Sequence, residues 1–185
     1  MRLGMFGGEF DPPHIGHLVV CQEARFRLKL DHLLVMPAGL PPHRAPSART
    51  AELRFKMAQA AFAGEPATEV SRVEIDRQGP SYTVDTLDLL SGDGVELFLV
   101  MGADQYASLH TWREADRIRA MATIAVALRP GADRPEGAGV VVESPLLEVS
   151  SSELRRRIAG REPITHLIPE AVLEVIRAEG VYRGP

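Results

Sequence analysis

"MRLGMFGGEFDPPHIGHLVV", residues 1–20, decides how the rest of the chain reads. An apolar run from Leu3 to Phe6 stops at Gly7 and Gly8, where the backbone carries no side chains. Pro12 and Pro13 follow, then His14 and His17 with Gly16 between them, then a second apolar run from Leu18. This is the pattern of a strand that ends in a glycine turn and feeds a helix starting near Gly16 or His17. Such a turn lets backbone N–H groups approach an anion closely, because no Cβ stands in the way. The helix start adds unpaired N–H groups and the positive end of its dipole, and the rings of His14 and His17 add donors for phosphate oxygens. The spacing matches neither G-x-x-x-x-G-K-[ST] nor G-x-G-x-x-G, so the stretch is neither a P-loop nor the dinucleotide fingerprint. Two other readings stay open: a tight turn with two solvent histidines, and a pair of metal ligands.

Outward from this stretch, short apolar runs recur: "RLGMF", "HLLVMP", "TEVSRVEI", "VELFLVMG", "TIAVALRP" and "GVVVE". Between most of them lie segments with helical spacing, as in "TAELRFKMAQAAFAG", at Tyr82 to Leu90 and from Gln105 to Ala120. Strands alternating with helices predict an α/β architecture, a doubly wound, mainly parallel sheet covered on both faces. Its ligand belongs beyond the carboxyl ends of the strands, where strand order reverses. The alternation ends with "SSSELRRRIAG" and "PEAVLEVIRAEG", two helices with no strand between them. Pro169 suits the first turn of the second and Gly180 its end. They predict a small C-terminal helical cap on the sheet edge, at about residues 150–185. Residues 1–185 read as a single domain, with the Pro/Gly-rich stretches 37–46 and 129–139 as loops.

Composition narrows the partners. The 185 residues suffice for one core, and a formal charge of −4 argues against broad binding to nucleic acid or an anionic membrane. Cys21 is the single cysteine, which excludes an intrachain disulfide and suits buried filler on the first helix. Gly4, Gly7, Gly8, Glu9 and Asp11 interrupt any apolar signal segment, and no window nears the roughly 18 apolar residues of a spanning helix. A cytoplasmic, soluble protein is expected.

Two more stretches invite an anion. Ser150 and Glu153 form a capping-box pattern, which leaves the hydroxyls of Ser151 and Ser152 for anionic oxygen and Arg155 as a planar fork for phosphate. A plain capped surface helix also explains these residues. In "GPSYTVDTL" (79–87), Ser81 or Thr83 can cap a helix running to Leu90. A carboxylate at its start gains about 0.3–2 kcal/mol, and the alternative is an ordinary capped helix with Tyr82 on the core. Trp112, the only tryptophan, follows a polar turn; its flat face suits stacking, and core packing is the alternative. Asp104 has the chemistry of a helix cap.

"GGEFDPPHIGH" resembles the G-x-F-D-x-x-H-x-G-H signature of the nucleotidylyltransferase superfamily. "SSSELR" (150–155) resembles its second signature, S-S-T-x-I-R, with Ser152 in place of Thr and Leu154 in place of Ile. "MPAGLPPHR" (36–44), "GPSYTVDTL", "MGADQYASLHTW" (101–112) and "HLIPEAVLEVIRAEGVYR" (166–183) resemble the nicotinate mononucleotide adenylyltransferases. The likeness spans essentially the whole chain. It implies a Rossmann-like nucleotidylyltransferase fold that transfers the adenylyl group of ATP to nicotinate mononucleotide. The products are then nicotinate adenine dinucleotide and pyrophosphate. Mg²⁺ is implied with ATP, and no residue is assigned as a metal ligand.

The same resemblance implies an ATP site of Gly7, Gly8, Phe10, His14, His17, Gly102, Asp104, Ser150, Ser151, Ser152 and Arg155. His14, His17 and Arg155 are its catalytic members, and Asp104 accepts from ribose hydroxyls. Tyr82, Thr83 and Trp112 hold the acceptor, while His43 and Arg44 swing toward the phosphates. Arg44 stands where relatives carry Lys, and Glu9 where they carry Ser or Thr. A carboxylate 4 Å from a phosphate charge costs about 4 kcal/mol at an effective dielectric of about 20, so Glu9 is left out of the expected site. His32, His110 and His166 read as structural. The rival functions are an adenylyltransferase for phosphopantetheine or the amide mononucleotide, a metal-dependent phosphohydrolase, and a non-catalytic nucleotide sensor. The expected partners are small molecules, and an oligomer is left open.

Overall fold

The computed structural model describes residues 1–40, 49–128, 134–137, 139–145 and 147–183. Six strands form one sheet: β1 (Arg2–Gly8), β2 (His32–Pro37), β3 (Thr68–Val70), β4 (Glu96–Gly102), β5 (Ala122–Leu128) and β6 (Val140–Glu143). All pair in parallel, in the order β3-β2-β1-β4-β5-β6. Seven α-helices lie among the described residues: α1 (Ile15–Arg27), α2 (Ala51–Phe62), α3 (Thr83–Leu90), α4 (Ala103–Ser108), α5 (Ala115–Met121), α6 (Ser151–Ala159) and α7 (Glu170–Glu179). The doubly wound expectation holds.

The strands read as unbroken apolar runs because both faces are covered. Side chains alternate across the pleat, so Met5 and Phe6 enter different cores, as do Leu99 and Val100. On one face Phe6, Val35, Phe98 and Val100 pack with residues of α1, α2, α6 and α7. On the other, Met5, Leu97, Leu99 and Met101 meet α3, α4 and α5 through Leu87, Tyr106 and Ile118. Cys21 is fully buried, and desolvation pushes its thiol up to about 11, in keeping with inert filler.

Four details differ from the sequence reading. The C-terminal helices do not cap the sheet edge: α7 packs on α2, and Leu154, Val172 and Ile176 enter the first core. The amphipathic α7 finds its apolar partner in the helical layer. "TEVSRVEI" is a strand only at Thr68–Val70; beyond it the buried Ser71 accepts from the Val73 N–H in a turn and the buried Glu74 accepts from Thr86 of α3. The helix expected over Gln105 to Ala120 is broken into α4, a 3₁₀ turn at Leu109–Thr111, and α5. There the hydroxyls of Ser108 and Thr111 bond back to carbonyls three residues earlier, which competes with helix continuation. Finally, α1 begins one residue before Gly16, at Ile15.

Candidate active site

β1 and β4 are neighbours, and the chain winds outward from them in opposite directions, so the strand order reverses between them. A cavity of about 380 Å³ opens there. Gly7 and Gly8 of β1 and Leu99 to Met101 of β4 form its floor, with Tyr82, Thr83, Trp112 and Arg113 at its walls. A Cβ on Gly7 would meet nothing within 4 Å, so the glycine is there for access, not for packing.

His14, the N-cap of α1, is only 7% exposed, which rules out the reading as solvent histidines. Its backbone N–H donates to Nδ1 of His17 at 3.1 Å, and the two rings stack with centroids 3.8 Å apart. Burial, then the neighbouring His14, holds His17 well below the usual histidine range. The ring is therefore neutral near pH 7, and with Nδ1 accepting, its proton sits on Nε2. His17 is a fixed N–H donor, braced edge-on by Phe10 at 5.0 Å. Gly16 permits the stack, since a Cβ there would lie 3.0 Å from the His14 ring and 3.1 Å from Val149.

The second signature meets the first. Ser150 caps α6 by accepting from the Glu153 N–H at 3.2 Å. The Ser151 hydroxyl donates to the Pro12 carbonyl at 2.9 Å, and Arg155 donates to the Asp11 carbonyl at 2.6 Å, spanning 139 and 144 residues. Ile15 N–H donates to the Leu167 carbonyl at 3.0 Å, and the Tyr182 hydroxyl donates to the Asp11 carboxylate. Two sequence expectations are corrected here. The Ser151 hydroxyl is not free, because it donates to the Pro12 carbonyl, whereas Ser152 accepts from Arg155 at 3.2 Å and keeps its own proton. The capping box is half formed, because the Glu153 carboxylate turns to Arg156 and Arg157, which hold it down at about 2.

On the cavity side, neither Ser81 nor Thr83 caps α3. Tyr82 is the N-cap without a side-chain bond, because the Ser81 hydroxyl donates to the Glu74 carbonyl at 2.9 Å. Asp104 does not cap α4 either; Gly102 is the N-cap and Asp104 lies in the first turn. Trp112 is half-buried against the second core and also lines the cavity. The cavity lining gathers Gly7, Gly8, Tyr82, Thr83 and Trp112 of the expected site but does not include Phe10, His14, His17, Gly102, Asp104, Ser150, Ser151, Ser152 or Arg155. His43 and Arg44 lie outside the described residues.

Three polar residues escaped the sequence reading. Arg54 on α2 is 2% exposed and donates to the carbonyls of Glu9 (3.0 Å), Ala38 (2.5 Å) and Gly39 (3.2 Å), tying the loop after β1 to the loop after β2. Glu74 is 6% exposed on the cavity wall, its carboxyl accepts from Thr86 at 3.0 Å, and burial raises its pKa. Arg113 lies over the Tyr82 ring at 4.7 Å. Arg54 had a signal, since it shares the buried stripe of α2 with Ala58 and Ala61. Glu9, left out by charge, lines the cavity beside Gly8.

A family model described as Cytidylyltransferase-like matches residues 5–157, so the chain belongs to that class of nucleotidyltransferases. A protein of Roseiflexus sp. (strain RS-1) is 45% identical, aligned over 98% of each chain, and one of Thermus thermophilus is 43% identical over 99% of this chain and 100% of its own. Both carry the name "Probable nicotinate-nucleotide adenylyltransferase". Within the class, the chain's family is that of the nicotinate-nucleotide adenylyltransferases. The fold is also that of the Plasmodium falciparum nicotinic acid mononucleotide adenylyltransferase complexed with NaAD, with a TM-score of 0.78 at 15% identity, covering 98% of this chain and 97% of that one.

Proposed function

We propose that the protein transfers the adenylyl group of ATP to nicotinate mononucleotide, giving nicotinate adenine dinucleotide and pyrophosphate. The bonds from Ser151 and Arg155 to the Asp11–Pro12 turn, which leads into His14 and the first turn of α1 with His17, beside a cavity at the strand-order reversal, carry this reading. Two anion-holding segments far apart in sequence form one edge, and an aromatic-walled cavity adjoins it.

The acceptor's 5′-phosphate oxygen is already anionic, so it attacks the α-phosphorus in line without a covalent intermediate or a strong base. Alignment and neutralisation of the leaving pyrophosphate supply the catalysis. His17, neutral and with its Nε2–H fixed, donates to the reacting phosphate; His14 orients it. Arg155, the Ser152 hydroxyl and the N–H groups at the start of α6, which Ser150 caps and Ser151 ties to Pro12, face the β and γ groups. Gly102 and Asp104 take the adenosine side, and Tyr82, Thr83 and Trp112 take the nicotinate. The bare N–H groups at the start of α3 suit its carboxylate.

Mg²⁺ with ATP fits the donor set. This ion is ordinarily held by substrate phosphates, waters and one or two carboxylates, and Glu9 beside the glycine turn offers one. It would supply charge neutralisation on the phosphates. The buried thiol suits a reducing cytoplasm, and no helix among the described residues is long and apolar enough to cross a membrane.

A pyrophosphate-release assay with ATP, Mg²⁺ and the acid and amide mononucleotides run in parallel tests the proposal. Release should be fastest with the acid. No release with either acceptor refutes it.

A further inference from the structure

The cavity walls carry three acidic or basic side chains among the described residues: Glu9, Glu74 and Arg113. An anionic acceptor entering there meets two carboxyls and one cation. The Glu74 carboxyl is biased toward its neutral form by burial, which removes part of the repulsion. Arg113 is thus the one side-chain charge on the described walls that favours an acid over an amide.

Its placement suits the task. The guanidinium lies over the Tyr82 ring at 4.7 Å, and Arg113 follows Trp112 directly in sequence; all three line the cavity that would hold the pyridine. It is not tightly held elsewhere. Its ion pairs to Asp85 at 3.8 Å and Glu114 at 3.5 Å are longer than ordinary charged hydrogen bonds, and half of the side chain is exposed.

The geometry points to Arg113 as a specificity residue whose charge at the cavity wall selects the carboxylate-bearing acceptor over its neutral amide. This rests on the acceptor reading proposed above and adds a side chain to it. Arg113 touches no group undergoing bond change, so its effect belongs in acceptor KM and not in kcat.

The test is a charge series, Arg113→Lys, Arg113→Gln and Arg113→Glu, assayed with both mononucleotides. The ratio of kcat/KM for acid over amide should fall in that order. The neutral variant should lose about two- to fivefold, the range of a water-screened charge contact. KM for the amide should stay level, and the parent's ratio should decline with added salt. Equal losses with both acceptors in Arg113→Gln would make the residue structural and overturn the assignment. So would an unchanged ratio across the series in a parent that prefers the acid, and that result would leave the adenylyl-transfer reading standing. A parent that uses neither acceptor defeats the functional reading, and the role of Arg113 with it.

Discussion

The two sides of the sheet treat their polar groups in opposite ways. On the side of α1 and α6, the segment 11–17 is held by groups that are already bonded: Ser151 on Pro12, Arg155 and Tyr182 on Asp11, and the His14 N–H on His17. On the side of α3 and α5, the cavity presents a half-buried tryptophan, a helix start without a side-chain cap, and an arginine on loose ion pairs. The first region is preorganised, as electrostatic stabilisation of a transition state requires. The second leaves a helix start and an aromatic wall open to the cavity, where contacts to an acceptor's polar group can set selectivity. In the proposed reaction, chemistry would fall to one face of the sheet and acceptor choice to the other.

Three substitutions break or sharpen that contrast. His17→Asn retains an acceptor for the His14 N–H but removes the Nε2–H donor. It should lower kcat about 10²- to 10³-fold with KM for the acceptor little changed. A kcat within threefold or so of the parent's would take His17 out of the chemistry. The parent's kcat should also be flat between about pH 6 and 8, because burial keeps His17 neutral there.

Trp112→Ala acts on the other side. Loss of ring stacking should raise acceptor KM about two- to tenfold while KM for ATP and kcat stay close to the parent's. As the only tryptophan, Trp112 also reports directly: adding the acid mononucleotide should quench its fluorescence, and a silent titration would place the acceptor elsewhere.

The smallest effect concerns Glu74. Its folded pKa is raised by burial, so its protonated form adds stability that is complete below the unfolded value of 4.5 and is lost as pH rises through the folded value. Glu74→Gln keeps an oxygen for the Thr86 hydroxyl and removes the ionisation. Its melting temperature relative to the parent should therefore rise from pH 4 to pH 7, by a degree or a few, roughly what 1 kcal/mol gives in a domain of this size. A difference that does not change with pH would show that Glu74 ionises in the fold without cost.

The sheet was legible because strands buried on both faces must be apolar throughout, and "HLLVMP" and "VELFLVMG" admit little else. The glycine turn and its histidines were legible because their spacing is local. Arg54, Glu74 and Arg113 were not, since each takes its meaning from a partner set by tertiary folding: three carbonyls, a hydroxyl twelve residues on, and the ring of the residue that precedes α3. Ser81 shows the reverse failure. Its local chemistry predicted a cap, and the buried Glu74 carbonyl outcompeted the helix for its hydroxyl.

The bond from Tyr182 to Asp11 has a consequence for biosynthesis. A polypeptide is made from its amino end, so the opening loop leaves the ribosome some 170 residues before the phenol that secures it. A nascent chain can lay down β1, β2 and β4 early, yet the last of the bonds on this loop waits until the tail following α7 has been translated. Before residue 182 is made, the loop has only Ser151 and Arg155 to hold it, so a chain stopped there should show a folded sheet with a looser loop.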